Sequence, residues 1–175
     1  MSIFPTRILL ATDGSEEAEL ALKTAVDLAN CTKSELHVIT VGREYHPAHF
    51  EVPETGRLLD EARRALEREA REVLDGQVKK IQEAGGTVAE AHLRKGGHRD
   101  REIVRVGEEI GAGLIVMGSR GLGGLRRALM GSVSDSVVRH AHCPVLVVRP
   151  PDEGDDDRQH RFLQRVFAAR SAGSG

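Results

Sequence analysis

Aromatic residues are scarce in this sequence. Tryptophan is absent, and one Tyr and four Phe bring the aromatic share to only 3%. Base-stacking platforms for single-stranded nucleic acid need such rings, so that class of partner is not expected. A dominant charge sign is lacking too. Lys and Arg number 25 against 27 Asp and Glu, a formal net charge of -2, so bulk electrostatics recommend no nucleic acid. Only two cysteines occur, Cys31 and Cys143. They form no CxxC or Cys/His metal pattern, and the expectation is two small buried residues in a reduced, intracellular setting. No apolar run approaches the length that spans a bilayer, so no membrane is expected. The opening Met1-Ser2-Ile3-Phe4-Pro5-Thr6-Arg7 runs into a strand-like segment without the form of a signal peptide, and a cytoplasmic location is expected.

What the chain does hold is short apolar runs alternating with helical periodicity. Arg7-Ile8-Leu9-Leu10-Ala11-Thr12 stops at Asp13-Gly14-Ser15, as a strand buried on both faces would. Ser15 suits the cap of the next helix, with Glu16 and Glu17 at its positive end. Leu36–Val41 reads as a second strand and residues 43–56 as a polar loop. Leu59, Ala62, Leu66, Ala70, Leu74, Val78 and Ile81 then recur three or four residues apart, as in a long amphipathic helix. Thr87–Leu93 reads as a more polar strand nearer an edge, Arg101–Ile110 as a helix, and Leu114–Met117 as a strongly apolar strand. A helix over Ser132–His140 and a strand over Pro144–Arg149 complete the series. This alternation predicts one parallel α/β sheet with helices on both faces. Ligands of such sheets sit outside the carboxyl ends of the strands, where the strand order reverses. After Pro150-Pro151 the composition changes. The acidic run Asp152–Asp157 and the basic stretch Arg158–Arg170 read as an appendage, with packing on the protein or disorder preferred over a membrane or nucleic acid role.

The chemistry concentrates in a glycine-rich turn. Two residues separate Gly118 from Gly121, nine separate Gly121 from Gly131, and Ser132 follows. Glycine lets backbone approach a ligand closely. Gly131-Ser132 opens a helix, whose N–H groups and dipole favour anions. The hydroxyls of Ser132 and Ser134 could add hydrogen bonds to phosphate oxygens. The spacing alone is unspecific, but its place between a strand and a helix strengthens it. The competing reading is a tight connection that uses glycine for turning alone. A GxxxxGK[ST] loop is absent, and a dinucleotide fingerprint is excluded because Arg126 stands where glycine is required and the turn does not follow the first strand.

These segments resemble the universal stress protein family, specifically its ATP-binding branch. The resemblance spans roughly residues 4–149. It rests on Ile8–Ser15, on Ile115–Gly121 with Gly131-Ser132-Val133-Ser134, and on His142–Val148. It implies a Rossmann-like fold with sheet order 3-2-1-4-5. It implies that Ala11, Thr12 and Val41 line the adenine and ribose pocket, and that Met117 and Gly118 pack along the nucleoside. Arg120, Gly121, Gly131, Ser132 and Val133 would surround the phosphates. Asp13 would sit near the ribose or a phosphate-bound Mg²⁺, and a carboxylate at a strand end suits either. Its plainer role is capping the first helix, and Val41 and Met117 could equally be core. One departure is Gly97-His98-Arg99, where many relatives carry Gly-x-Pro; little effect on the nucleotide site is expected.

The expected organisation is a nucleotide-binding domain over 1–150 and a charged, partly helical tail over 151–175. The expected function is an ATP-binding, nucleotide-responsive stress or signalling module. A slow ATP hydrolase or self-phosphorylating enzyme is the first alternative, and an oligomeric adaptor with a vestigial site the second. No residue stands out as a general base, so no catalytic residue is assigned. By resemblance the chain dimerises through its fifth strand, and Val145–Val148 would be an exposed apolar edge without a partner. Arg126 and Arg127 could reach a terminal phosphate or face solvent. His46 and His49 lack an obvious third metal ligand and read as a polar loop able to cover the ligand. His140 and His142 read as structural.

Overall fold

The structure is a computed structural model that describes residues 2–43, 55–119 and 130–149. Its elements run β1 (Arg7–Ala11), α1 (Glu16–Thr32), β2 (Glu35–Gly42), α2 (Thr55–Glu83), β3 (Val88–Lys95), α3 (Arg99–Ile110), β4 (Leu114–Gly118), α4 (Ser132–His140) and β5 (Val145–Val148). The strands form one sheet in the order β3-β2-β1-β4-β5. Every neighbouring pair is parallel.

The two-residue period of the strands divides the core. Ile8, Leu10, Leu36, Val38, Leu114 and Val116 turn toward α1 and α2, where Leu22, Val26, Leu74 and Ile81 meet them. Leu9, Ala11, Ile39, Ile115 and Met117 turn the other way, against Ile103 and Val106 of α3 and Val137 of α4. Helices thus cover both faces, as the buried apolar strands require. Each fully buried side chain such as Leu36 or Val26 contributes roughly 1.5–3 kcal/mol.

Local chemistry sets the element ends. Ser15 caps α1, its side chain accepting from the Ala18 N–H, and the helix ends at Lys33 in a left-handed conformation. The helix α2 starts at Thr55, inside the segment expected to be loop. The helix α3 starts at Arg99 with His98 as N-cap and no side-chain cap bond, and closes on left-handed Gly111. At Gly113 a Cβ would stand 2.1 Å from the Thr6 hydroxyl oxygen, so only glycine allows the chain to enter β4 beside the start of β1. The polar strand β3 does lie at the edge of the sheet. Cys31 is exposed, against the expectation of burial, and Cys143 is half-buried. Residues 150–175 lie outside the described residues. Among the described residues no helix is long and apolar enough to cross a membrane.

Candidate functional site

The carboxyl ends of β2, β1 and β4 stand side by side. Ala11 is level with Ile39 on one flank and Met117 on the other. Beyond this line the chain diverges. The segment after β1 leads to α1 on one face, while the segment after β4 leads to α4 on the other. Strand order reverses between β1 and β4, the place where parallel sheets of this kind take their ligands.

The predicted residues sort by face. Ala11 and Met117 are buried in the core beneath α3 and α4, and Val41 and Val133 pack against that same cluster. All four therefore lie on the side of the sheet covered by α3 and α4. Gly118 ends β4 and is itself buried. Thr12 turns the opposite way. Its hydroxyl donates to Gln77 Oε1 of α2 at 3.0 Å in a buried contact and accepts the Gly14 N–H at 3.3 Å. Asp13 is half-buried, and its Oδ1 accepts the Ser15 N–H at 3.1 Å. The carboxylate therefore braces the residue that caps α1. Gly14 follows with φ +79° and would bring a Cβ to 3.2 Å from Val73, a conformation and a space suited to glycine.

A clamp closes the neck of the glycine-rich turn. The Ser119 carbonyl accepts the Gly131 N–H at 2.8 Å and the Ser134 hydroxyl lies 2.9 Å from it. The same hydroxyl lies 2.9 Å from the Gly131 carbonyl, and the Ser119 N–H donates to Val148 at 2.8 Å. Ser119 and Ser134 are each 2% exposed. The Ser134 proton is thus given to the neck rather than to a ligand, because burial obliges it to find a partner there. Ser132 is exposed at the first position of α4. Gly131 caps that helix with no side-chain bond, so the first-turn N–H groups of Ser132 and Val133 receive no cap from it, the condition for anion binding. Asp135 in that turn carries adverse charge, but both its oxygens bind Arg139, at 2.9 and 3.2 Å. Arg120, Gly121, Arg126, Arg127, His46 and His49 lie outside the described residues.

Neighbouring groups are structural. His142 Nε2 lies 3.0 Å from the Ala112 carbonyl, and His140 Nδ1 2.7 Å from that of Ser136. Burial pushes the Cys143 thiol up from its usual range. On the α2 face, a hollow of about 140 Å³ lies among Gly42, Arg43, Arg63, Glu67 and Lys95. It is too small for a nucleotide, whose pockets begin near about 300 Å³.

A parallel doubly wound sheet, with a glycine-bounded turn feeding a helix N-terminus at the switch point, defines a class of Rossmann-like α/β proteins. Within that class, the chain belongs to the universal stress protein family, whose model matches residues 5–149. It is 36% identical to the universal stress protein YxiE of Bacillus subtilis, covering 82% of this chain and 98% of that protein. Among solved structures it is similar to the protein MJ0577, at 29% identity and TM-score 0.70, over 86% of this chain and 99% of that one. It shares the fold of a universal stress protein in complex with cAMP (23% identity, TM-score 0.61, 84% of this chain and 98% of that one). It also shares the fold of the Archaeoglobus fulgidus universal stress protein in complex with dAMP (24%, TM-score 0.56, 84% and 99%).

Proposed function

We propose that the chain belongs to the ATP-binding branch of its family and works as a nucleotide-responsive stress or signalling module in the cytoplasm. One observation carries this reading. Ala11, Val41, Met117 and Val133 share one face at the carboxyl ends of the strands, beside a helix N-terminus capped only by Gly131. Apolar side chains next to free anion-binding capacity suit a flat, weakly polar base joined to phosphates. That members of the family hold cAMP and dAMP fits this choice of base. Asp13 supplies a hard carboxylate oxygen for the ribose hydroxyls or for a Mg²⁺ carried by the phosphates. Arg120, Gly121 and the exposed Ser132 complete the phosphate side, and Ser134 holds the neck in shape. Residues 1–150 act as the nucleotide-binding domain, with 151–175 as a charged tail.

Nucleotide-free protein titrated with ATP, AMP and cAMP by calorimetry tests the reading. ATP should bind with one-site stoichiometry. Absence of heat and of any other binding signal at millimolar ATP would reject it. Gly131→Val places a branched side chain at the helix cap beside the phosphates and should weaken ATP at least about tenfold, roughly 1.4 kcal/mol. Unchanged affinity would reject the proposed cradle.

A further inference from the structure

A second cluster of chemistry-bearing side chains lies lower on the sheet. His37 of β2 and His92 of β3 are 6% and 7% exposed, and His37 Nδ1 stands 3.3 Å from His92 Nε2. The register between β2 and β3 shifts after Leu36, so that Leu36 is level with Val88 but His37 with Glu90 and Ile39 with His92. This bulge sets all three side chains on the sheet face covered by α3. One ligand atom from each of His37, Glu90 and His92 lies within 4.8 Å of those of the other two. Val41, in the proposed nucleotide site, is four residues further along β2, about 13 Å at the strand rise.

The two rings cannot satisfy each other alone. A neutral pair shares one hydrogen bond among its ring nitrogens. His37 Nε2 is buried without a hydrogen-bond partner. The carboxylate of Glu35 stands 3.8 Å from it, and that of Glu90 stands 3.9 Å from His92 Nδ1. If His37 gives its proton inward, its bare Nε2 faces Glu35. If His92 gives the proton, its bare Nδ1 faces Glu90. Either tautomer sets a lone pair against a carboxylate. A cation between the rings takes both inward lone pairs, leaves the outer His37 Nε2 an N–H donor toward Glu35, and turns Glu90 from a repulsive neighbour into a third ligand; a carboxylate behind the ring orients metal-binding histidines in this way.

We infer that His37 Nδ1, His92 Nε2 and the Glu90 carboxylate form a binding site for a divalent first-row transition metal of the zinc class, tying edge strand β3 to β2. Two nitrogens held tetrahedrally at about 2.0–2.1 Å from zinc stand about 3.3 Å apart, the separation of these rings. Imidazole with one carboxylate selects borderline metals over Mg²⁺ or Ca²⁺. Burial pushes the His92 pKa down, which keeps the ring in the neutral form that ligates metals. The nearby Arg94 guanidinium is held by Glu109 of α3 at 2.9 Å, which offsets its repulsion. Glu90 is exposed and leaves the fourth position open to water.

The test uses the full chain without an affinity tag, freed of metal by chelator and dialysis. Zn²⁺ is titrated by calorimetry, and Co²⁺ by its visible ligand-field spectrum. The expected result is one equivalent of Zn²⁺, a Co²⁺ spectrum of tetrahedral intensity, and a raised melting temperature. Glu90→Gln, a surface change that preserves the fold, should weaken Zn²⁺ by about tenfold or more, and His92→Asn should abolish binding. Nucleotide affinity of Glu90→Gln should stay at the wild-type value, which separates this site from the nucleotide site. Absence of Zn²⁺ and Co²⁺ binding would overturn the site and leave a pair of rings sharing a proton. Binding of equal strength in Glu90→Gln and His92→Asn would overturn it as well, assigning the metal to other histidines.

Discussion

Neighbouring residues at a strand end can belong to different sites, and Ala11 and Thr12 show it. Ala11 lies beneath α3 and α4, while the Thr12 hydroxyl is spent on Gln77 of α2. Gln77 is 3% exposed, so its amide oxygen depends on that donor. Thr12→Val keeps the shape and removes the donor. It should cost about 1–3 kcal/mol of stability, read as a lower urea midpoint at unchanged slope. A midpoint equal to wild type would mean that water replaces the hydroxyl. The alternation that separates Ala11 from Thr12 is written in the strand pattern, but the partner 65 residues away has no local signal. His37 and His92 escaped the sequence for the same reason. They are 55 residues apart, and a bulge in β3 decides that they meet. Cys31 was misjudged differently. The apolar face of α1 runs through Ala18, Ala21, Leu22, Ala25, Val26 and Ala29. Cys31 is off that face, and helical period outweighs the burial preference of cysteine.

At the scale of elements, the helices hold each other through polar ties as well as apolar faces. Asp100 in the first turn of α3 accepts the Ser136 hydroxyl of α4 at 2.5 Å. That bond, aided by nearby backbone N–H groups, holds the Asp100 carboxyl below its usual range. A depressed folded pKa gives stability that is present above the unfolded value of about 3.9 and is lost as pH falls through the folded value. Ser136→Ala should therefore destabilise by about 1 kcal/mol at pH 7, a charge-assisted bond discounted for partial exposure. The gap from wild type should close as pH drops below about 4. Denaturation across pH 3 to 7 checks this, and a gap constant with pH would rule out the carboxylate as its source. Periodicity made most elements legible. The α4 helix occupies the expected Ser132–His140, and the polar β3 is an edge strand. Helix starts were harder. The α3 helix begins at Arg99, before the first periodic apolar residue, under a His98 that gives no capping bond.

For the whole molecule, alternating strands and helices were enough to predict a parallel sheet, and buried runs such as Leu114–Met117 required helices on both faces. Strand order came from the resemblance, since apolar period carries no information on which strands adjoin. The strand-end positions of Ala11, Val41 and Met117 were legible in the apolar runs. Their lateral alignment was not, because it follows from the sheet register joining Ala11, Ile39 and Met117. Among the described residues, β5 is an edge strand of apolar composition. Val145 and Val147 are only partly buried against the core, and Leu146 is 36% exposed. The carbonyls of Pro144 and Val148 accept from β4. By the alternation of a parallel ladder, the N–H groups of Val145 and Val147 point away from the sheet. An apolar strand with outward-facing backbone donors invites a second copy, and we propose that β5 carries a homodimer. Sedimentation velocity should give about twice the 19.0 kDa chain mass. Leu146→Lys puts a charge on that edge without touching a buried position and should shift the protein to the monomer while leaving its thermal unfolding cooperative. A wild-type chain that stays monomeric at every concentration, or a Leu146→Lys chain that dimerises as well as wild type, would remove β5 as the interface.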